Sequence, residues 1–299
     1  MTETQKAYIA VLVQMVIIGL SFMFVKIALM DGDTLNMLAH RFTFAFSAAS
    51  IPVLFGLVKL SMTKKGARVL IPLSLLYPLL FFTFQTLGLA NTSSSEAGIV
   101  FATTPVLVAI FAAVLLKEKV TFWQAFFIGL SVSGVIYIII MKGNGGFTFN
   151  VKGIIYTLLS AFSTAIYTVL VRRYRYEFSN FTLMYFMMMI GAIVFNLLAF
   201  GTHALNGSWH RYFGPLFEMR YLLSVLYLGV LSTFITQFLS IYAVARVEAA
   251  RIGVFNNLSS VVTVLAGVIF LKETLYSYHL IGALIIVIGI VGSNYFAKK

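Results

Sequence analysis

Amide, hydroxyl and aromatic side chains are the groups in this chain best placed to handle a solute. Gln14, Tyr77, Gln85, Thr104, Tyr167, Gln237, Asn256 and Asn257 all fall inside long apolar runs. An unpaired amide in an apolar setting costs roughly 2–7 kcal/mol. Glutamine and asparagine there must meet a polar cavity or a partner helix, and for Gln14, Gln85, Gln237 and Asn256 cavity exposure is the expectation. Helical spacing gathers such residues on faces: Tyr77, Phe81, Gln85 and Gly88 form one stripe, and Asn256, Ser260 and Thr263 form another. Ser131, Ser133, Ser160 and Ser163 are read as packing residues, because serine in a membrane helix bonds its own backbone. Asn196 is read as structural.

Reactive groups are scarce by comparison. The nine carboxylates, from Glu3 to Glu273, lie at the ends of the apolar runs or between them, so no buried acid offers a proton relay. There is no cysteine, and His40, His203, His210 and His279 are too scattered for a metal site. No phosphate-binding loop is present, so this chain does not hydrolyse ATP. An enzyme within the membrane would need paired acids, a metal cluster or a Ser–His pair, and none is legible. No metal and no cofactor are expected. The charged groups that remain sit at the mouths of the runs: Lys26, His40, Arg41 and Glu96. Lys26 either snorkels to the interface or holds a substrate carboxylate. Arg41 with His40 could do the same, but pairing with Asp31, Asp33 or Glu96 is expected. Glu96 and His40 stay open as coupling groups.

The elements that position these residues are membrane helices. Of 299 residues, 61% are hydrophobic and 10% charged, against about 25% charged in soluble domains. Uncharged runs occupy Ala7–Val25, Phe42–Val58, Val69–Asn91, Ala97–Leu116, Val120–Met141, Gly153–Val171, Phe178–Thr202, Tyr221–Ala245, Ile252–Leu271 and Leu280–Ala297. Each approaches the roughly 20 residues that span a bilayer, and backbone in lipid must satisfy itself as helix. No cleavable leader is read at the N-terminus, so the first run stays in the membrane. With that terminus inside, fourteen Lys and Arg fall on the inner side and seven on the outer. Both termini are therefore expected to be cytoplasmic, in the plasma or inner membrane. The net charge of +12 follows from this loop bias, and nucleic acid is not an expected partner.

The chain also repeats itself. Leu116-Lys117-Glu118 recurs as Leu271-Lys272-Glu273, 155 positions on, and at that shift Gly98 meets Gly253 and Gly134 meets Gly289. Earlier in each half, Val25-Lys26 meets Val171-Arg172. Five helices per copy forces the second copy to insert upside down, so 1–145 and 146–299 read as two inverted five-helix repeats of an all-α membrane protein.

Thr103-Thr104-Pro105-Val106 through Glu118, and Gly267-Val268-Ile269-Phe270-Leu271-Lys272-Glu273, resemble the EamA family of the drug/metabolite transporter superfamily. The resemblance covers essentially the whole chain. It implies a non-ATP carrier whose helices 5 and 10 lie at the periphery, with an amino acid or related metabolite as cargo, usually exported. One departure is Ser260, where the family often has a proline matching Pro105; helix 9 is expected to be straighter than helix 4. Pro105 is a candidate hinge that frees the carbonyl of Phe101. Glu118 and Glu273 are assigned to the helix 4–5 and 9–10 junctions. Amide stripes without a central charge suit a neutral or zwitterionic solute. A lipid or amphiphile translocase and a non-transporting receptor or scaffold are the competing readings. Helices 5 and 10 either pair two copies through Gly129, Gly134, Gly282 and Gly289 or face lipid.

Overall fold

Long apolar segments in this chain cannot bury themselves in a water-soluble core, and among the described residues they form ten long helices. The computed structural model describes residues 2–144, 151–244 and 249–296, with side chains defined except at 4, 142–144, 244 and 249–257. The helices are α1 (Glu3–Asp31), α2 (Thr34–Leu54), α3 (Lys64–Asn91), α4 (Ser94–Leu116) and α5 (Phe122–Asn144). The second set is α6 (Lys152–Arg173), α7 (Asn180–Asn206), α8 (Met219–Ala243), α9 (Ala249–Leu271) and α10 (Ser277–Tyr295). Nine are long and apolar enough over described residues to cross a membrane, and Leu258–Leu271 of α9 is a shorter apolar stretch. No strand occurs among the described residues. Leu54 and Leu205 are more than 80% exposed, as only a lipid-facing surface tolerates in such numbers.

Packing follows the expected two-fold plan. The principal seams are α1–α9, α1–α8, α2–α7, α2–α8, α3–α6, α4–α6, α4–α9 and α5–α10. Exchanging each helix with the one five places on turns α1–α9 into α6–α4 and α1–α8 into α6–α3. The seams α2–α7, α4–α9 and α5–α10 map onto themselves.

Three crossings are interrupted. In α3, Tyr77 is extended, with φ −143° and ψ 117°, just before Pro78. In α4 the helix breaks after Phe101 and restarts at Thr104, and the Thr104 hydroxyl donates to the Phe101 carbonyl at 2.6 Å, meeting the acceptor that Pro105 leaves unpaired. In α8, residues Tyr227–Ile235 wind as a π-helix. By contrast α9 runs unbroken through Ser260, as the missing proline suggested.

The Leu-Lys-Glu signature ends α4 and α9 in the same way. Lys117 and Lys272 both adopt left-handed φ, of 57° and 55°. The turn lets the Glu118 amide reach back to the Ala112 carbonyl and the Glu273 amide to that of Gly267. These bonds use up carbonyls that would otherwise be orphaned at a helix end.

Helices 5 and 10 pack on each other within the chain, and three of the four glycines named for a second copy lie against this chain's own atoms. A Cβ on Gly134 would meet the Ile286 side chain at 2.8 Å and the Gly282 carbonyl at 3.0 Å, and one on Gly289 would meet the Ser131 amide at 2.5 Å. Gly282 lies against Ile138, and only Gly129 of the four faces open space.

Candidate functional site

α2 begins at Thr34, eight residues before the apolar run that marked it in the sequence. The Asp33 side chain caps its first turn by accepting from the Asn36 amide at 2.9 Å. Arg41 therefore stands seven residues inside the helix, about 10 Å from its end at 1.5 Å per residue, and only 2% exposed. The expected pairing with a carboxylate does not occur. Asp31 pairs instead with Arg220, at 2.9 and 2.5 Å. Asp33 serves the cap, and Glu96 accepts from Thr92. Arg41 donates from Nε to the Thr233 hydroxyl at 3.0 Å and reaches the Ser232 hydroxyl at 3.5 Å, both in the π-wound stretch of α8. Its carbon Cζ lies 4.2 Å over the Phe82 ring. Nη1 is buried without a hydrogen-bond partner among the described residues. A charge at such depth costs at least about 2.5 kcal/mol, and two neutral hydroxyls do not neutralise it.

The face opposite the N-terminus is closed by contacts between the halves. His203 and Asn36 are joined at 2.9 Å, and Asn36 donates to the Arg211 carbonyl at 3.1 Å. His40, placed with the mouth residues from the sequence, is 3% exposed and bonded to Tyr221 at 2.8 Å. Glu273 reaches from the end of α9 to the start of α4, accepting from the Ser94 and Ser95 amides at 2.7 and 2.9 Å and the Ser95 hydroxyl at 2.6 Å. This corrects its assignment to the 9–10 junction: the carboxylate caps a helix of the other half, where the N-terminal dipole favours it. Lys26, half-buried, lies within electrostatic reach of both Glu273 and Glu96. Glu118, the repeat mate of Glu273, pairs instead with Arg172 at the end of α6, at 2.6 Å.

Two cavities run in from the N-terminal face. The larger, about 790 Å³, extends from exposed Glu118, Lys119 and Arg172 to buried Ala102, between α1, α4, α6 and α9. Gln14, Thr104 and Pro105 line it, and Gln14 Oε1 is a buried acceptor without a partner among the described residues. The smaller, about 240 Å³, lies between α2, α3, α6, α7 and α8, and Phe42, Tyr77, Tyr167, Thr233 and Gln237 are among its walls. Tyr77 stacks on Tyr167 with centroids 4.8 Å apart, and Gln237 shares the same wall. Thr168 lines both cavities. Beside them a clamp joins the loops after α2 and α6. The Thr63 hydroxyl donates to Glu177 at 2.5 Å, and Lys65 pairs with Glu177 at 2.9 Å. The hydroxyl bond first, then the ammonium, holds the Glu177 carboxyl below its ordinary range.

The candidate residues thus divide. Gln14 and Thr104 share the larger cavity, whereas Tyr77, Tyr167 and Gln237 share the smaller. Gln85 is buried and lines neither. Asn256 and Asn257 lie outside the residues whose side chains are described. Asn196 is structural, bonded to Thr43 and accepting from Tyr212. Ser133, Ser160 and Ser163 bond carbonyls of their own helices. Sequence alone did not point to Met184, Met187 and Met188 as cavity residues. Nor did it reveal Ser94 and Ser95 as partners of Glu273, though the recurring Lys-Glu pair pointed at one half of that contact.

The profile of the EamA-like transporter family matches residues 5–140 and again 151–295. The chain belongs to that family. It is 47% identical over 293 residues to the uncharacterized transporter YcxC of Bacillus subtilis (strain 168), covering 98% of this chain and 94% of that one. An uncharacterized transporter of Archaeoglobus fulgidus is 24% identical over 91% of this chain and 92% of its own length. Solute carrier family 35 member G1 of mouse is 39% identical over 61 residues, 20% of this chain and 15% of its own. A solved crystal structure superposes with a TM-score of 0.64 at 18% identity, covering 99% of both chains, and that likeness concerns the fold alone. This family member is a multi-pass membrane protein of the transporter type.

Proposed function

We propose that this EamA-family chain is a secondary carrier that moves a small metabolite by alternating access, with residues 1–145 and 146–299 as its two inverted halves. Its cargo is an amino acid or a related solute, moved outward across the plasma membrane, with both termini cytoplasmic. The observation that carries the reading is one asymmetry. A cavity walled by helices of both halves, about 790 Å³, reaches the N-terminal face, while the other face is latched by Glu273 on α4 and by Asp31 with Arg220. Equivalent Lys-Glu ends with different partners are what an inverted repeat held in one of two half-states would display. The smaller cavity, with its tyrosines and methionines, suits a solute of amino-acid size with an apolar side chain. Pro105, at the break in α4, is the hinge in this reading.

Reconstituted liposomes test it. Flux of neutral amino acids is expected for the wild type. Gln14→Ala and Gln237→Ala are expected to lower flux about tenfold, since losing one amide contact to solute is worth about 1.4 kcal/mol. Ser133→Ala, on an exposed face, should leave it unchanged. Full flux in both amide variants would remove these residues from the transport path.

A further inference from the structure

Arg41 has a charge that no described carboxylate answers; the Phe82 ring face and two hydroxyls are its partners. Among the described residues it takes part in no ion pair, and its Nη1 is buried and unpartnered. A guanidinium cannot escape this by losing its proton as a lysine would. Tying α2 to α8 does not require it either, because a glutamine could donate to Thr233 and Ser232 without bringing a charge into the membrane. The atom that receives its Nε, Thr233 Oγ1, belongs to a residue of the smaller cavity's wall. Tyr77, of the same wall, is within electrostatic reach of the guanidinium. The charge therefore lies directly behind the cavity's inner end.

We infer that Arg41 is the recognition site for a carboxylate of the solute, which enters the smaller cavity and lies beside Tyr77 and Tyr167. The inference rests on the transporter reading and names its substrate class: a monocarboxylate, zwitterionic amino acids included, with an apolar or aromatic body. One guanidinium with one free nitrogen matches a single negative charge. A phosphate dianion calls for further cations, and Lys26 lies on another seam, within electrostatic reach of Glu273 and Glu96. The walls that complete the site are Phe42, Met184 and Met187, which would contact the body of the solute. An arginine and a carboxylate meet in charge-assisted hydrogen bonds, roughly twice as strong as those between neutral groups.

The test compares acids with their own amides on the purified full-length protein. Thermal-shift titrations use L-leucine, L-phenylalanine, 4-methylpentanoate and 3-phenylpropionate, each beside its carboxamide, with phenylphosphonate as the dianionic probe. The expected result is stabilisation by acids at concentrations at least about tenfold below those their amides need. Arg41→Gln should bring the acids to the level of the amides and leave the amides unmoved. The wild-type comparison decides the matter even if that variant fails to fold. Equal response to acid and amide, a preference for the phosphonate, no response to any acid, or an acid preference kept in Arg41→Gln would each overturn the site. Flux of the same solutes into liposomes separates the two claims. Acid-selective binding without flux removes the transporter reading and keeps the site, whereas flux that ignores the carboxylate does the reverse.

Discussion

Glu273→Ala is expected to cut solute flux by at least about tenfold and to open the face opposite the N-terminus. The carboxylate accepts four hydrogen bonds from the amides and hydroxyls of Ser94 and Ser95 and lies near Lys26. A hydrogen bond to a charged group is worth about 1.5–3 kcal/mol net. Losing even one such bond shifts a two-state balance by about tenfold, and losing all four strands two helix-end amides as well. The loss falls on one state only, because these partners sit on opposite halves and separate when that face opens. An effect confined to one state moves the equilibrium and so slows the return step of a carrier. Gly267→Ala should behave alike, since a Cβ there would run into the Glu273 carboxylate and the Ser95 hydroxyl. Glu273→Gln should fall between, keeping the shape but setting an amide N–H group against the Ser95 amide. Flux in liposomes is the measurement. Wild-type flux in Glu273→Ala would mean that the latch does not gate transport.

The second large effect concerns the seam between α5 and α10. Gly289→Ala would place a Cβ 2.5 Å from the Ser131 amide and 2.7 Å from the Phe127 carbonyl. Both are backbone atoms of a helix, which cannot yield as a flexible side chain does. Overpacking of this sort costs about 1–3 kcal/mol. Gly129→Ala on α5 has nothing within 4 Å of the added carbon, and alanine favours helix over glycine by about 1 kcal/mol. The two substitutions are chemically identical and should move the thermal midpoint of the purified protein in opposite directions. A fall of equal size in both would show that α10 does not seat on α5 through Gly289.

Most of the fold is legible in the sequence because lipid imposes one rule on every crossing. Ten uncharged runs become ten helices, and the recurring Leu-Lys-Glu marks two helix ends built on the same left-handed lysine. The legibility fails where a polar residue enters the membrane. Arg41 looks like the edge of a run and is read as lying just inside the outer end of its helix, although Asp33 sets the cap eight residues before it. Charge ends a hydropathy run, but it does not end a helix. The break at Tyr77 has a local cause in Pro78, which drives the residue before it out of helical geometry, whereas the π-wound stretch of α8 depends on how α8 packs on its neighbours and no local pattern announces it. The site is legible in type but not in grouping. Stripes on single helices identify Gln14, Tyr77, Tyr167 and Gln237 as polar or aromatic faces. Only the position of α6 between the cavities, with Thr168 on both walls, assigns Gln14 to one space and the other three to its neighbour.

Alternating access to the larger cavity can be tested most directly with a single cysteine, since the chain has none of its own. Cysteine placed at position 104, on the cavity wall beside the hinge, is labelled in sealed vesicles with an impermeant maleimide applied from one side or the other. In an otherwise native chain the N-terminal face should label it faster. In the Glu273→Ala background the faster side should become the opposite face. Labelling from the N-terminal face alone, in both backgrounds and with transported solute present, would contradict alternating access.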